Sequence, residues 1–384
     1  MKIILVNASF IRGDGQGRVN YEIARYAVRA GHEVTLVSGY VDPDLAATCK
    51  WERVDVRRIK PQLFRNFAFS VFSYRVVERL RSNADVVMGN GSNTLARTDV
   101  NAVHFVHGSW LRSPAHTSRT RRDWYGLYSK LVSHYSAFEE RFAFRRAKAI
   151  VAVSELVRQQ LIGINIAPAK VSVIFNGVDT TEFSPREADR AANGLPVDKR
   201  IGLFAGDMTT PRKNLDTILY ALCDVPDVHL AVVGSLDRNP YPKLAASLGI
   251  SDRVHFFGFR KDIADIFPLA DFFVFPSRYE ACSLVLLEAL AAGLPVITAR
   301  SAGGSEIVDD ASGFVLEYSD DRAGLAEAIR RLATDDALRE RQRTGARALA
   351  MRHSWQTMAQ CYVELFDSFV PKFARSSNVG KSAE

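Results

Sequence analysis

The strongest constraint on the fold is a pattern that runs twice. Near the start, the apolar run Lys2-Ile3-Ile4-Leu5-Val6-Asn7 reads as a buried strand. It leads into a glycine-rich turn, Gly13-Asp14-Gly15-Gln16-Gly17, and then a helix-period stretch over 19–30 that Gly31 stops, with a second strand over 33–38. The pattern restarts at Arg200-Ile201-Gly202-Leu203-Phe204-Ala205-Gly206, a strand ending in a turn ahead of a helix over 214–222. Further strands are predicted at 84–88, 102–106, 149–153 and 171–174, then at 228–234, 254–257, 272–275 and 296–298, with helices over 284–292 and 322–333. Strands alternating with helices imply parallel sheets covered on both faces.

A chain of 384 residues accommodates two such units. The polar stretch 180–199, with Pro185, Pro196 and Asn193-Gly194, is expected to link them. The predicted domains are 1–178 and 179–355, followed by 356–384 as a closing helix and polar tail. That helix spans 355–369 at apolar spacing, is stopped by Pro371 and crosses back to the first unit; the tail from Ser376 is expected to fray. Open sheets of this kind bind ligands at the carboxyl ends of their strands, so the cleft between the units is the expected site.

Composition narrows the function. The cysteines Cys49, Cys223, Cys282 and Cys361 form no CxxC and no zinc-like spacing with histidine, as expected of thiols in a reducing compartment. No apolar run of ~18 residues suggests a membrane span, and Arg12 and the glycines follow the first strand too soon for a signal-peptide core. The expectation is a soluble cytoplasmic chain. Its net charge of +7 is uneven: residues 1–178 hold 26 Lys and Arg against 14 Asp and Glu, and the remainder 24 against 29. The first half is therefore expected to face something anionic. No nucleic-acid motif accompanies the charge, so nucleic acid is not the expected partner.

The densest chemical signal runs from Pro276 through Val296. A strand ends at Phe275 and a loop carries Glu280. Ser283 is placed to cap a helix that opens at Leu284 and stops at Gly293, and Glu288 stands in its second turn. The amides at that helix start suit a phosphate, and two carboxylates nearby suit sugar hydroxyls. In the first half, Gly13 and Gly15 do not complete a GxGxxG fingerprint because Arg18 fills its third glycine position.

Glu280-x7-Glu288 followed by Ala289-Leu290-Ala291-Ala292-Gly293-Leu294-Pro295-Val296 resembles the signature of glycosyltransferase family 4. Ala205-Gly206 with Arg212-Lys213-Asn214 is similar to that family's basic diphosphate loop. Phe175-Asn176-Gly177-Val178-Asp179, Ala152-Val153-Ser154 and Gly303-Gly304-Ser305-Glu306-Ile307 are similar to flanking segments in the same order. The similarity is strongest over 150–320. It implies an α/β protein of the GT-B fold, two Rossmann-like domains facing a central cleft, and a retaining transfer from a nucleoside diphosphate sugar.

By the same resemblance, Glu280 approaches the donor sugar, Glu288 binds the ribose hydroxyls, and Arg212 and Lys213 hold the diphosphate with Gly206, Ser283 and Leu284. Gly15 and Gly17 of the first-domain loop lie near the donor phosphates. His107, in His104-Phe105-Val106-His107-Gly108 at the end of the predicted 102–106 strand, matches a cleft histidine. Two positions depart from the pattern: Asp207 stands where many members have arginine, and Ala281 where glycine is common. No metal or other cofactor is expected. Asp42-Pro43-Asp44 lies in a loop without a neighbouring histidine, and Arg212, Lys213 and a helix start supply the positive charge.

Basic and aromatic residues interleave over 60–81 and 110–148. Such faces suit an anionic membrane surface or a glycan or lipid-linked acceptor. The expected activity is retaining glycosyl transfer; the alternatives are another sugar-nucleotide reaction such as epimerisation, or sugar-nucleotide binding without catalysis.

Overall fold

The computed structural model describes residues 1–13, 15–237 and 239–370; Pro371 and the polar tail lie outside them. Two parallel sheets form the frame. The first has seven strands in the order Lys50–Arg53, Glu33–Ser38, Lys2–Val6, Val86–Asn90, Val100–Val103, Ala149–Ala152 and Val171–Val173. The second has six, in the order Val254–Gly258, Val228–Val233, Arg200–Ala205, Phe272–Phe275, Val296–Ala299 and Gly313–Leu316. In the central strands nearly every residue is buried, Lys2 being the exposed end of Lys2–Val6, because helices cover both faces.

Each sheet reverses its order at a point that matters for ligands. In the first, Lys2–Val6 pairs with Glu33–Ser38 on one side and Val86–Asn90 on the other. In the second, Arg200–Ala205 lies between Val228–Val233 and Phe272–Phe275. A crevice opens outside the carboxyl ends of strands at such a switch. Helix Gly15–Arg29 follows the first sheet's switch strand and helix Leu284–Ala291 follows Phe272–Phe275. The two helix starts approach each other closely enough that a Cβ at Gly15 would lie 3.6 Å from Leu284 Cδ1.

The structure differs from the sequence reading in three places. Gly15 and Gly17 belong to the first turn of helix Gly15–Arg29 rather than to a preceding turn. Continuous burial of that helix from Val19 to Ala24 and its packing on helix Trp355–Asp367 outweigh the low helix propensity of glycine. The strand predicted over 102–106 stops at Val103, and His107 opens a short helix, His107–Trp110, with Val106 at its N-cap position and no side-chain cap. The segment 180–199 is no free linker: Phe183 and Leu195 are buried in the second core, and Arg190 pairs with Asp271 at 2.9 Å. The chain crosses between the domains at Val178, which bridges to Ser354.

Helix Trp355–Asp367 buries Met358, Ala359, Tyr362 and Phe366 in the first core, against Val19, Ile23 and Ala27 of helix Gly15–Arg29. A side chain of Leu or Phe size stabilises by about 1.5–3 kcal/mol when fully buried, so this apolar stripe holds the chain's end on the first domain.

Candidate active site

Loop 206–213 and loop 276–283 leave neighbouring strands of the second sheet at its switch point, and the site is built where they meet. Asp207 accepts hydrogen bonds from the Thr209 amide (2.9 Å) and hydroxyl (2.8 Å), which turns the first loop. The arginine common at this position in the family is thereby replaced by a turn-forming side chain. Asn214 takes a left-handed conformation, φ 66°, and its fully buried side-chain amide donates to the carbonyls of Pro276 and Ser319 at 2.8 and 2.7 Å. Arg278 clamps the loops together, donating to Asp216 at 2.7 Å, Asp320 at 2.7 Å and the Pro211 carbonyl at 2.7 Å.

This clamp presents Lys213 and Glu280 to each other. The ammonium of Lys213 donates to Glu280 Oε2, and it also stands 5.0 Å above the Phe275 ring. Burial works against the Glu280 carboxylate, but the charges of Lys213 and Arg212 outweigh it and hold its pKa below the usual glutamate range. Arg212, half-buried, forms no ion pair with any described residue. One committed cation and one uncommitted cation therefore sit beside an ionised carboxylate.

The Glu280 backbone is fixed as firmly as its side chain. Its carbonyl accepts from the Gly303 amide at 3.0 Å, and the Gly303 carbonyl accepts from the Ser283 amide at 3.0 Å. A Cβ at Gly303 would lie 1.8 Å from the Ala281 carbonyl oxygen, so only glycine admits this close approach. Ser283 then caps helix Leu284–Ala291, its hydroxyl accepting from the Leu286 amide at 3.2 Å. The amides of Leu284 and Val285 in the first turn keep their hydrogens for a ligand.

Glu288 lines a cavity of about 540 Å³ between the domains. Gly13, Gly15 and Arg18 contribute from the first domain, and Leu284 and Trp355 from beside it. Burial, reinforced by Glu182, pushes the Glu288 carboxyl up to about 7, with Arg18 opposing. Gly17 is buried within its helix and is not among the lining residues.

His107 is held by a buried carboxylate. Its Nδ1 lies 2.5 Å from Glu140 Oε1, and its backbone amide donates to Glu140 Oε2 at 2.8 Å. An Nδ1–H donated to Glu140 fixes the tautomer and leaves Nε2 available. The Phe105 ring lies 4.9 Å from the His107 ring and 5.4 Å from that of Tyr279, the residue before Glu280.

The sequence reading missed the far wall of the cavity. Phe259, Arg260 and Lys261 line it, and Phe259 is 72% exposed. The signal was present, since Gly258-Phe259-Arg260-Lys261 repeats at the end of Val254–Gly258 the glycine-then-basic-pair arrangement of Gly206 and Arg212-Lys213. Arg18 appeared only as the residue that spoils a glycine fingerprint. In the structure it bonds Glu22 at 2.7 Å and approaches Asp179 of the crossing segment at 3.7 Å.

Comparison with known proteins agrees with this architecture. The family model described as Glycosyltransferase Family 4 matches residues 13–182, and Glycosyl transferases group 1 matches 185–349. An uncharacterized glycosyltransferase of Methanocaldococcus jannaschii is 25% identical over 366 residues, covering 90% of this chain and 92% of its own. The lipopolysaccharide glucosyltransferase WaaG of Escherichia coli is 30% identical over 233 residues, 56% of this chain and 62% of its own. Among solved structures, Anabaena Alr3699/HepE in complex with UDP and glucose superposes with a TM-score of 0.71 at 22% identity, covering 96% of this chain and 100% of that one. With one family model on each domain and a shared two-sheet architecture, the chain belongs to the family 4-like glycosyltransferases of the GT-B fold.

Proposed function

We propose that the chain is a retaining, metal-independent glycosyltransferase that moves a hexose-like sugar from a nucleoside diphosphate sugar to a hydroxyl of a glycan or lipid-linked acceptor, in cell-surface polysaccharide or glycolipid assembly. The observation that carries this reading is the Lys213–Glu280 pair beside unpaired Arg212, at the start of a helix whose Glu288 faces the cavity. Diphosphate fits the cations and the amides of Leu284 and Val285; Glu288 accepts from ribose hydroxyls, and Glu280 from the sugar. WaaG, a lipopolysaccharide glucosyltransferase by name, and HepE, whose structure holds UDP and glucose, support the choice of donor and product class.

In the proposed reaction the bond from the anomeric carbon to the diphosphate oxygen breaks, its electron pair staying on that oxygen. The acceptor hydroxyl adds on the same face and its proton passes to the leaving phosphate. Arg212, Lys213 and the helix amides stabilise the charge that develops, which is where preorganised donors contribute most. His107, oriented by Glu140, offers Nε2 to the sugar.

On the acceptor side, helices Gln62–Leu80 and Trp124–Arg146 expose Phe64, Phe67, Trp124, Leu127 and Phe138 among arginines. That combination supports shallow, salt-sensitive seating on an anionic membrane, each basic residue near the surface contributing about 1 kcal/mol.

The test is a screen of nucleoside diphosphate sugars with acceptor extracts, the product's anomeric configuration being read by NMR and EDTA included in parallel. Retained configuration and unchanged turnover in EDTA are expected. An inverted product, or activity abolished by EDTA and restored by Mg²⁺, overturns the corresponding part. An epimerised donor formed without acceptor would replace transfer with epimerisation.

A further inference from the structure

The first domain has a second concentration of positive charge, at the end opposite the cleft. A cavity of about 460 Å³ is lined by Arg81, Arg97, Thr98, Arg145, Arg146 and Lys148. Arg81 follows helix Gln62–Leu80, Arg145 and Arg146 end helix Trp124–Arg146, and Thr98 and Lys148 lie just before strands Val100–Val103 and Ala149–Ala152. The cavity therefore sits at the amino ends of the first sheet's strands, whereas the transfer site sits at the carboxyl ends.

Five cations meet one carboxylate there. Asp99 takes Lys148 at 2.8 Å and Arg81 at 3.6 Å, and its other oxygen accepts from the Val87 amide at 2.9 Å. Arg97, Arg145 and Arg146 form no ion pair with any described residue. Cations at a helix end ordinarily serve the terminal carbonyls, but Lys170 already does so, donating to the carbonyls of Phe144 and Arg145 at 2.9 Å each. Nor is the cluster merely a solvated face. Arg146 lies over the Phe142 ring at 4.7 Å, and its Nε is buried with no hydrogen-bond partner among the described residues. A buried donor left unpaired among uncompensated like charges is the arrangement that an anion relieves.

We infer that this cavity is a second anion site, specific for a phosphate or diphosphate group and separate from the donor site. The shared chemistry is a multiply charged phosphoryl group held by Arg97, Arg145 and Arg146; its source is either a soluble phosphate ester or a phospholipid headgroup. The inference does not rest on the sugar-transfer reading.

Calorimetry of the full chain with inorganic pyrophosphate, at low and physiological salt, tests it. The R97A/R145A variant removes two exposed guanidinium groups, and R145A/R146A removes the half-buried one as well, so a folding defect in the second does not obscure the first. R212A/K213A disables the proposed donor site. Expected is a salt-sensitive affinity that persists in R212A/K213A and, in that background, falls about tenfold or more when either arginine variant is added. Sedimentation with phosphatidylcholine vesicles, with and without phosphatidate, identifies the source. Pyrophosphate binding in the R212A/K213A background marks a soluble ligand, and capture by phosphatidate vesicles alone marks a headgroup, each lost when R97A/R145A is added. Absence of binding to pyrophosphate and phosphatidate alike, or binding unchanged in both arginine variants, overturns the site.

Discussion

Arg212 and Lys213 are neighbours in sequence with different tasks. Lys213 is committed to Glu280, whereas Arg212 has no carboxylate of its own among the described residues. Replacing Arg212 with alanine removes the cation proposed to face the leaving group and leaves the pair intact. Turnover is expected to fall about 100-fold with little change in fold, since one preorganised donor contributes roughly 2.7–4 kcal/mol. Lys213→Ala should cost at least as much and also destabilise the protein, because Glu280 is left buried and without its cation. Steady-state rates and thermal melts separate the two; equal melting losses would remove the distinction.

Glu288 makes a pH prediction at the same scale. Its carboxyl titrates near 7 because burial and Glu182 disfavour the charge. If nucleotide hydroxyls donate to the ionised form, affinity rises with pH until Glu288 is ionised in the free protein. Below about pH 7 it falls, approaching tenfold per pH unit. The same carboxyl is a stability cost that grows as pH rises from its unfolded value towards 7 and levels off above, since its folded pKa is raised. Arg260, Lys261, Arg18 and Asp179 share the cavity with it. Glu288→Gln should flatten that part of the profile, so a profile identical in wild type and variant counts against the ribose role.

At the scale of elements, the strand–turn–helix order was legible because buried parallel strands are short apolar runs, as in Ile201–Ala205, and because Gly31 and Gly293 stop their helices with φ of 82° and 73°. The Glu280, Ser283 and Glu288 cluster was legible because one loop and one helix carry it. The Arg278 clamp, the Glu140 partner of His107 and the Phe259–Lys261 wall were not. Each joins residues 33 to 67 positions apart or strands that meet only in the folded sheet, and no local period encodes such a meeting. The strand before His107 ends three residues earlier than the sequence implies, because the run 102–106 looks the same whether it continues a strand or enters a turn. Gly303 is the most exacting element-scale position. Gly303→Ala drives a methyl into the Ala281 carbonyl, and the strain must move the Glu280 loop. Loss of most activity with a native-like circular dichroism spectrum is expected; full activity would show that the loop yields without displacing Glu280.

Across the whole molecule, several polar contacts between the two domains lie beside the loop that carries Glu280. The Ser154 hydroxyl of the first domain donates to the Ala281 carbonyl at 2.6 Å, and the Leu156 amide donates to Glu306 at 2.7 Å. The Tyr279 hydroxyl reaches the Val106 carbonyl and Gln160, both at 3.3 Å. Glu306 also accepts from the Gly304 amide at 2.6 Å, so one carboxylate joins the turn behind Glu280 to the helix Glu155–Ile162 of the other domain. Each such bond contributes about 1 kcal/mol net, so removing two shifts an open–closed balance by roughly 30-fold. Tyr279→Phe combined with Glu306→Ala should therefore enlarge the radius of gyration in small-angle scattering. On the proposed function, in which the second domain carries most of the nucleotide contacts and transfer draws on both, it should also lower kcat more than nucleotide affinity. A scattering profile unchanged from wild type, with kcat and affinity lost in equal measure, would show that these contacts do not govern closure and that the crossing at Val178 and the helix Trp355–Asp367 hold the domains without them.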